Sequence, residues 1–185
     1  MFRHVRSRPT GVMLVVSCLC LACFGGKPVD LEITGSSVGP LDGQTPFDIE
    51  RLQELLKGYS LSPGNNQLDG RSVSTYRVVR DGVQFIEIYP SADSTGISRI
   101  AVLSPDLEDP NGNHVGSVFS AVFGDQPPAV LTPGMSEFTG DVLCPAPGLS
   151  NVTYVFHGDW TGPAGVIPPQ NVLDSWAVRC IIWKS

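Results

Sequence analysis

The dipeptide Asp81-Gly82 stands between two β-prone runs, Ser74–Arg80 and Val83–Tyr89. Asp-Gly supplies the two positive φ angles of a tight two-residue turn, so these runs are expected to pair as an antiparallel hairpin. Other runs agree with a β fold. Ile97–Leu103 and Trp176–Trp183 are strand candidates, and Val152–His157 alternates, which places Val152, Tyr154 and Phe156 on one face. In the last run Trp176, Val178, Cys180 and Ile182 are expected to share a face. Leu31–Val38 is a further candidate strand.

One helix is expected from Thr45 to Gly58. Thr45 suits the N-cap, Pro46 the first helical position, and Asp48 and Glu50 the positive helix start. Ile49, Leu52, Leu55, Leu56 and Tyr59 then form an apolar face, and Gly58 can end the helix. Val115–Gly124 predicts a short second helix. Ser60–Arg71 is polar and turn-rich, and 105–113, 124–147 and 158–169 read as loops. No strand–helix alternation calls for a parallel sheet, and no internal repeat is present. The expected fold is mainly β with an α+β tendency. It is an antiparallel, sandwich-like fold with one amphipathic helix and a short second one.

The start of the chain reads differently. Arg3, Arg6 and Arg8 precede the apolar stretch Val12–Ala22, which matches a signal-peptide core and is too short for a membrane span of ~20 residues. It ends in Ala22-Cys23, a small residue before a cysteine, as in a lipobox, although Cys20 occupies the usual leucine position. The expectation is a lipoprotein signal peptide over 1–22, a lipidated tether over 23–30 with lipid on Cys23, and one globular domain over 31–185. Phe24 follows the cysteine, so the aspartate that retains lipoproteins at the inner membrane is missing. The expected location is the outer membrane, facing the periplasm, with the lipid as the membrane contact.

Loss of the three leader arginines takes the net charge from −6 to −9. Nucleic acid rewards clustered Lys and Arg, so it is not an expected partner. Cys144 and Cys180 are the cysteines left in the exported body. In an oxidising compartment such a pair is expected to form a disulfide, the alternative being two buried, unpaired thiols.

Catalytic constellations are missing from the sequence. His114 and His157 have no His or Cys at metal-ligand spacing, so no metal and no cofactor is expected. Gly116-Ser117-Val118-Phe119-Ser120 is not a nucleophile elbow, and no phosphate-binding glycine loop occurs. The oxygen-rich loop 106–113 lacks EF-hand spacing. It can be read as a calcium loop, but its residues are also those any turn prefers. In His157-Gly158-Asp159-Trp160, Asp159 can orient the imidazole. With glycines and prolines crowding 158–169, His157, Asp159 and Trp160 are expected to organise a structural loop. Trp160 would be the buried anchor, its indole N–H finding an acceptor.

The C-terminal half carries a resemblance. Ile97-Ser98-Arg99-Ile100, Val115-Gly116-Ser117, Phe123-Gly124, Tyr154-Val155-Phe156, Gly158-Asp159-Trp160-Thr161-Gly162-Pro163 and Ile181-Ile182-Trp183-Lys184 stand in a specific order. Over roughly 95–185 the chain resembles the RpoE-regulated lipoprotein family, a domain of unknown function. The resemblance implies a small, mainly β envelope lipoprotein connected with envelope stress, and it brings no catalytic residues. Asp125 stands where the family has a cysteine, so Cys144 would take a different partner here. The expected role is non-enzymatic: binding an unidentified envelope protein, or envelope maintenance. The competing role is a periplasmic inhibitor or immunity protein against a wall-degrading enzyme, which would need a protruding loop from 104–113 or 124–147.

Overall fold

The structure is a computed structural model that describes residues 28–185 apart from 69, 125, 127 and 164. The expected leader 1–22 and Cys23 lie outside the described residues. Eight strands form one antiparallel sheet: β1 Ser60–Leu68, β2 Arg71–Arg80, β3 Val83–Pro90, β4 Ile97–Val102, β5 Thr132–Pro133, β6 Val142–Pro145, β7 Val152–His157 and β8 Ala177–Lys184. Their order across the sheet is β1-β2-β3-β4-β8-β7-β6-β5, so two four-stranded meanders meet where β4 pairs with β8. The mainly β, antiparallel expectation holds. Helices α1 Ile49–Leu55, α2 Phe119–Phe123 and α3 Gln170–Leu173 are short.

The hairpin signal was accurate. Arg80 pairs with Val83, and Asp81 and Gly82 take φ of 53° and 80°. The same signal recurs at Asp69-Gly70, where Leu68 pairs with Arg71 and Gly70 has φ 77°. It closes β1, a strand that the polar run Ser60–Arg71 conceals. β1 lies at the sheet edge, mostly exposed. An edge needs no apolar face on both sides and tolerates Pro63, which lacks one donor.

Leu31–Val38 does not form a strand of the sheet. The chain doubles back, bridging Ile33 to Val38, because the Thr34 hydroxyl accepts from the Ser36 and Ser37 amides at 3.2 and 3.0 Å. The first helix starts later than expected. Phe47 N–H donates to Thr95 O at 3.1 Å and Pro46 bridges Gly96, which holds that stretch extended. Asp48 therefore caps α1, accepting from Arg51 N–H at 2.9 Å, while Thr45 is buried and bonds back to Asp42. Of the stretch read as loop, 124–147, residues Thr132–Pro133 and Val142–Pro145 join the sheet, with a 3-10 turn at Ser136–Phe138 between them. Strands of two and four residues are too short to show a period.

One face of the sheet carries the main core. Leu31, Ile33, Val38 and Leu41 from the N-terminal segment, Leu52 from α1 and Phe119 from α2 pack on Ile86, Ile88, Ile100, Tyr154, Phe156, Ile181 and Trp183. Each such fully buried side chain contributes about 1.5–3 kcal/mol relative to exposure. The other face has a smaller cluster of Tyr89, Ala101, Val155, Cys180 and Ile182.

A bulge in β8 overturns the expected disulfide. Val155 pairs with Cys180 but Phe156 pairs with Val178, leaving Arg179 as an extra residue. Beyond it the alternation inverts: Val178 faces the main core, whereas Cys180 and Ile182 face the smaller cluster. Cys144 pairs with Tyr154 on the other side of β7 and faces the main core. The cysteines thus sit on opposite faces and two strand spacings apart, roughly 10 Å. A bridge needs Cα atoms within about 4.4–6.8 Å. Among the described residues both thiols are free, and both are buried.

Two outcomes are expected. In folded protein both thiols resist alkylation and react after unfolding. A cross-linked pair in non-reducing peptide maps would contradict this. Burial also raises Cys144 to about 12 and Cys180 to about 11, from an ordinary 9.0. A raised acid keeps its proton in the folded state while the unfolded chain loses it. The thiol contribution is therefore full below pH 9 and declines as pH rises above it. Urea melts across about pH 8–10 should show this slope, and Cys144→Ala should flatten it.

Candidate functional site

The loop after β7 is built by two indoles lying on two glycines. A Cβ on Gly158 would sit 2.3 Å from Trp176 Cδ1, and one on Gly162 would sit 2.0 Å from Trp160 Cζ2. Only hydrogen fits beneath each ring, which explains the Gly-Asp-Trp-x-Gly-Pro spacing. Trp176 is fully buried, and Trp160 is partly buried against the main core. The expected acceptor for the Trp160 indole N–H is missing: among the described residues this N–H and those of Trp176 and Trp183 are buried without a partner. Asp159 also departs from expectation. It is exposed and makes no side-chain hydrogen bond among the described residues, because the chain turns it outward next to Trp160.

His157 finds its carboxylate elsewhere. Its Nδ1 lies 2.8 Å from Asp141 Oδ1, across from β7 at the start of β6. Asp141 is 3 % exposed and also accepts from Arg179 Nε at 2.7 Å, through Oδ2. The bulge that turns Cys180 over is what places Arg179 on this face. Arg179 also donates to Glu137 O at 3.2 Å, and the Glu137 carboxylate accepts two bonds from buried Arg99, at 3.1 and 3.0 Å. The Arg99 and Arg179 guanidinium groups stack on Phe138 at 5.7 and 5.5 Å. Two arginines from the central strands thereby pin segment 136–141 to the sheet. An Asp–His pair can orient an imidazole for proton transfer. Among the described residues, however, no hydroxyl or thiol bonds this ring.

The oxygen-rich loop 106–113 is occupied by its own backbone. Asp109 Oδ1 accepts the amides of Asn111 and Asn113 at 2.8 and 3.0 Å, and Oδ2 accepts the hydroxyl of buried Tyr154. Asn113 Nδ2 donates to the same Tyr154 oxygen at 3.0 Å. The loop is an Asx turn anchored in the core, and its central carboxylate is spent. Among the described residues no group of three His, Cys, Asp or Glu is placed to hold a metal.

A cleft of about 600 Å³ opens where the described chain begins. Its walls are Pro28–Glu32, the aromatic pair Tyr59 and Phe85 with Arg80, and Asp106–Glu108. The entry is fixed by Val29 N–H donating to Lys57 O at 3.0 Å and by Pro28 packed against Gly58. Gly58 has φ 87°, and a Cβ there would lie 2.5 Å from Pro28 Cα, so both angle and contact demand glycine. The Arg80 guanidinium lies 4.4 Å from the Phe85 ring centre and 5.2 Å from that of Tyr59, and donates to the Tyr59 hydroxyl at 3.2 Å. Burial raises the Tyr59 pKa; Arg80 opposes the rise, and Asp30 and Asp106 add to it. No single residue of this cleft stands out in the sequence. Its parts come from four separate stretches, and charged residues in loops look like solvent-facing ones.

The loop yields a direct test. Gly158→Ala should cost about 1–3 kcal/mol in denaturant melts, because Trp176 cannot yield. Asp159→Ala should stay within about 0.5 kcal/mol of the parent. Equal effects of the two would refute the packing account.

Comparison with known proteins places this architecture. A family model described as a protein of unknown function, DUF1131, matches residues 17–185. The uncharacterized protein YfeY of Escherichia coli strain K12 is 30% identical over 159 residues, covering 83% of this chain and 79% of that protein. The crystal structure of yfeY from Escherichia coli superposes with a TM-score of 0.66 at 29% identity, covering 83% of this chain and 99% of that one. The chain belongs to the DUF1131 family of YfeY-like proteins.

Proposed function

We propose that this protein is a lipid-anchored envelope protein that works by binding, without catalysis, on the periplasmic side of the outer membrane. The observation that carries the reading is the position of the cleft. Its wall begins at Pro28, and the tether from Cys23 to Pro28 spans at most roughly 17 Å when fully extended. An acyl chain on Cys23 would hold that opening close to the bilayer surface. The chemistry of the other groups supports binding over reaction. Asp109, Asp141, Glu137 and Glu87 are each committed to partners that hold the fold.

The inhibitor reading draws less support. Loop 104–113 is anchored through Asp109 and Tyr154, and segment 136–141 is pinned by Arg99 and Arg179. Both stretches are held to the fold, whereas Val130 and Met135, in the rest of candidate loop 124–147, are exposed.

Metabolic labelling with palmitate tests the anchor. The wild-type chain should carry label and fractionate with the outer membrane, and Cys23→Ser should lose both. Labelling that persists in Cys23→Ser would overturn the anchor.

A further inference from the structure

The cleft at the chain entry holds charges of both signs that do not meet. Asp30, Glu32, Asp106 and Glu108 line it together with Arg80. None of these four carboxylates comes within 4.0 Å of the guanidinium. Among the described residues, the only acidic neighbour of Arg80 at that distance is Asp81, whose side chain is 94% exposed and lies at 4.0 Å. Arg80 is itself 30% exposed and spends one N–H on Tyr59. Stacking on Tyr59 and Phe85 keeps the fork in one orientation, and among the described residues its remaining donors make no hydrogen bond to a carboxylate. Asp30 and Asp106 nevertheless act on the same Tyr59 hydroxyl as Arg80 does, so both signs converge on one part of the cleft.

Opposite charges that share a cleft without pairing are complementary to a ligand that carries both signs. A simple anion would gain Arg80 and meet four carboxylates. A simple ammonium ion would gain the carboxylates and meet the arginine. A zwitterion answers both. Guanidinium groups favour phosphate, which accepts their parallel N–H bonds. We propose that this cleft binds the phosphoethanolamine head group of a zwitterionic phospholipid, with phosphate on Arg80 and ammonium among Asp30, Glu32, Asp106 and Glu108. The choice of a lipid rests on the anchored reading above, which brings the opening to the bilayer surface. The head-group chemistry rests on the cleft alone.

The test is a calorimetric titration of the full chain carrying Cys23→Ser with monomeric dihexanoyl phosphatidylethanolamine, dihexanoyl phosphatidylglycerol and free phosphoethanolamine. Saturable binding of the first, at least about tenfold tighter than of the second, is expected. Arg80→Gln should weaken it by about tenfold or more, with the fold checked by thermal melting. Asp106→Asn, in an exposed loop position, should reduce the preference over phosphatidylglycerol, since it removes one of the four carboxylates. It serves as the deciding variant if Arg80→Gln melts early. Absence of saturable binding, equal affinity for both lipids, or a preference unchanged by Asp106→Asn would overturn the proposal. Free phosphoethanolamine binding as tightly as the lipid would overturn the lipid source and leave a soluble head group. The titration uses unacylated protein, so its failure is separable from a failure of palmitate labelling.

Discussion

Four residue pairs between β4 and β8 hold the two halves of the sheet together: Arg99 with Lys184, Ile100 with Trp183, Ala101 with Ile182 and Val102 with Ile181. Every other strand pairing lies within one meander. Closing the long chain between β4 and β8 costs entropy, although that cost grows only slowly with length. It is offset by burial on both faces at once, since Ile100, Val102, Ile181 and Trp183 enter the main core while Ala101 and Ile182 enter the smaller cluster. The C-terminal strand is thus central in the sheet, and the fold is complete only when the last residues of the chain are in place.

The seam also organises the second face. Arg99 comes from β4 and Arg179 from β8, and together they hold Glu137, Phe138 and Asp141 over the smaller cluster. Buried charges are tolerated only when paired and hydrogen-bonded. Asp141 meets that condition with Arg179 and His157; Glu87 is hydrogen-bonded by the neutral donors Thr75, at 2.6 Å, and Asn66, at 3.0 Å. His157 is 61% exposed at the rim of this network, where it closes a structural contact.

The cleft contrasts with that economy. Asp109, Glu137 and Asp141 are satisfied internally, whereas Arg80 and the four carboxylates that line its opening do not pair with one another. This contrast directs attention to the chain entry and away from the motif-rich loop 157–163, whose residues are spaced to seat two indoles on two glycines.

Local signals in the sequence determined much of this molecule. Asp81-Gly82 specified a hairpin because its backbone angles are set by the dipeptide itself, and the period-two run of β7 put Val152, Tyr154 and Phe156 on the main-core face. The Gly-Asp-Trp-x-Gly-Pro element and the Ile-Ile-Trp-Lys ending carried the family kinship. Tertiary structure decided the rest. β1 is polar because it is an edge, so composition hid it although Asp69-Gly70 marked its turn. The bulge at Arg179 inverted the face of Cys180, and one extra residue in a strand leaves no trace in periodicity until the partner strand is known. His157 found Asp141 rather than the adjacent Asp159 because pairing of β6 with β7 brings residues distant in sequence within hydrogen-bond reach. The cleft arises from the chain entry, Tyr59 before β1, the β2–β3 hairpin and loop 106–108 meeting in space, and no single stretch of sequence contains that arrangement.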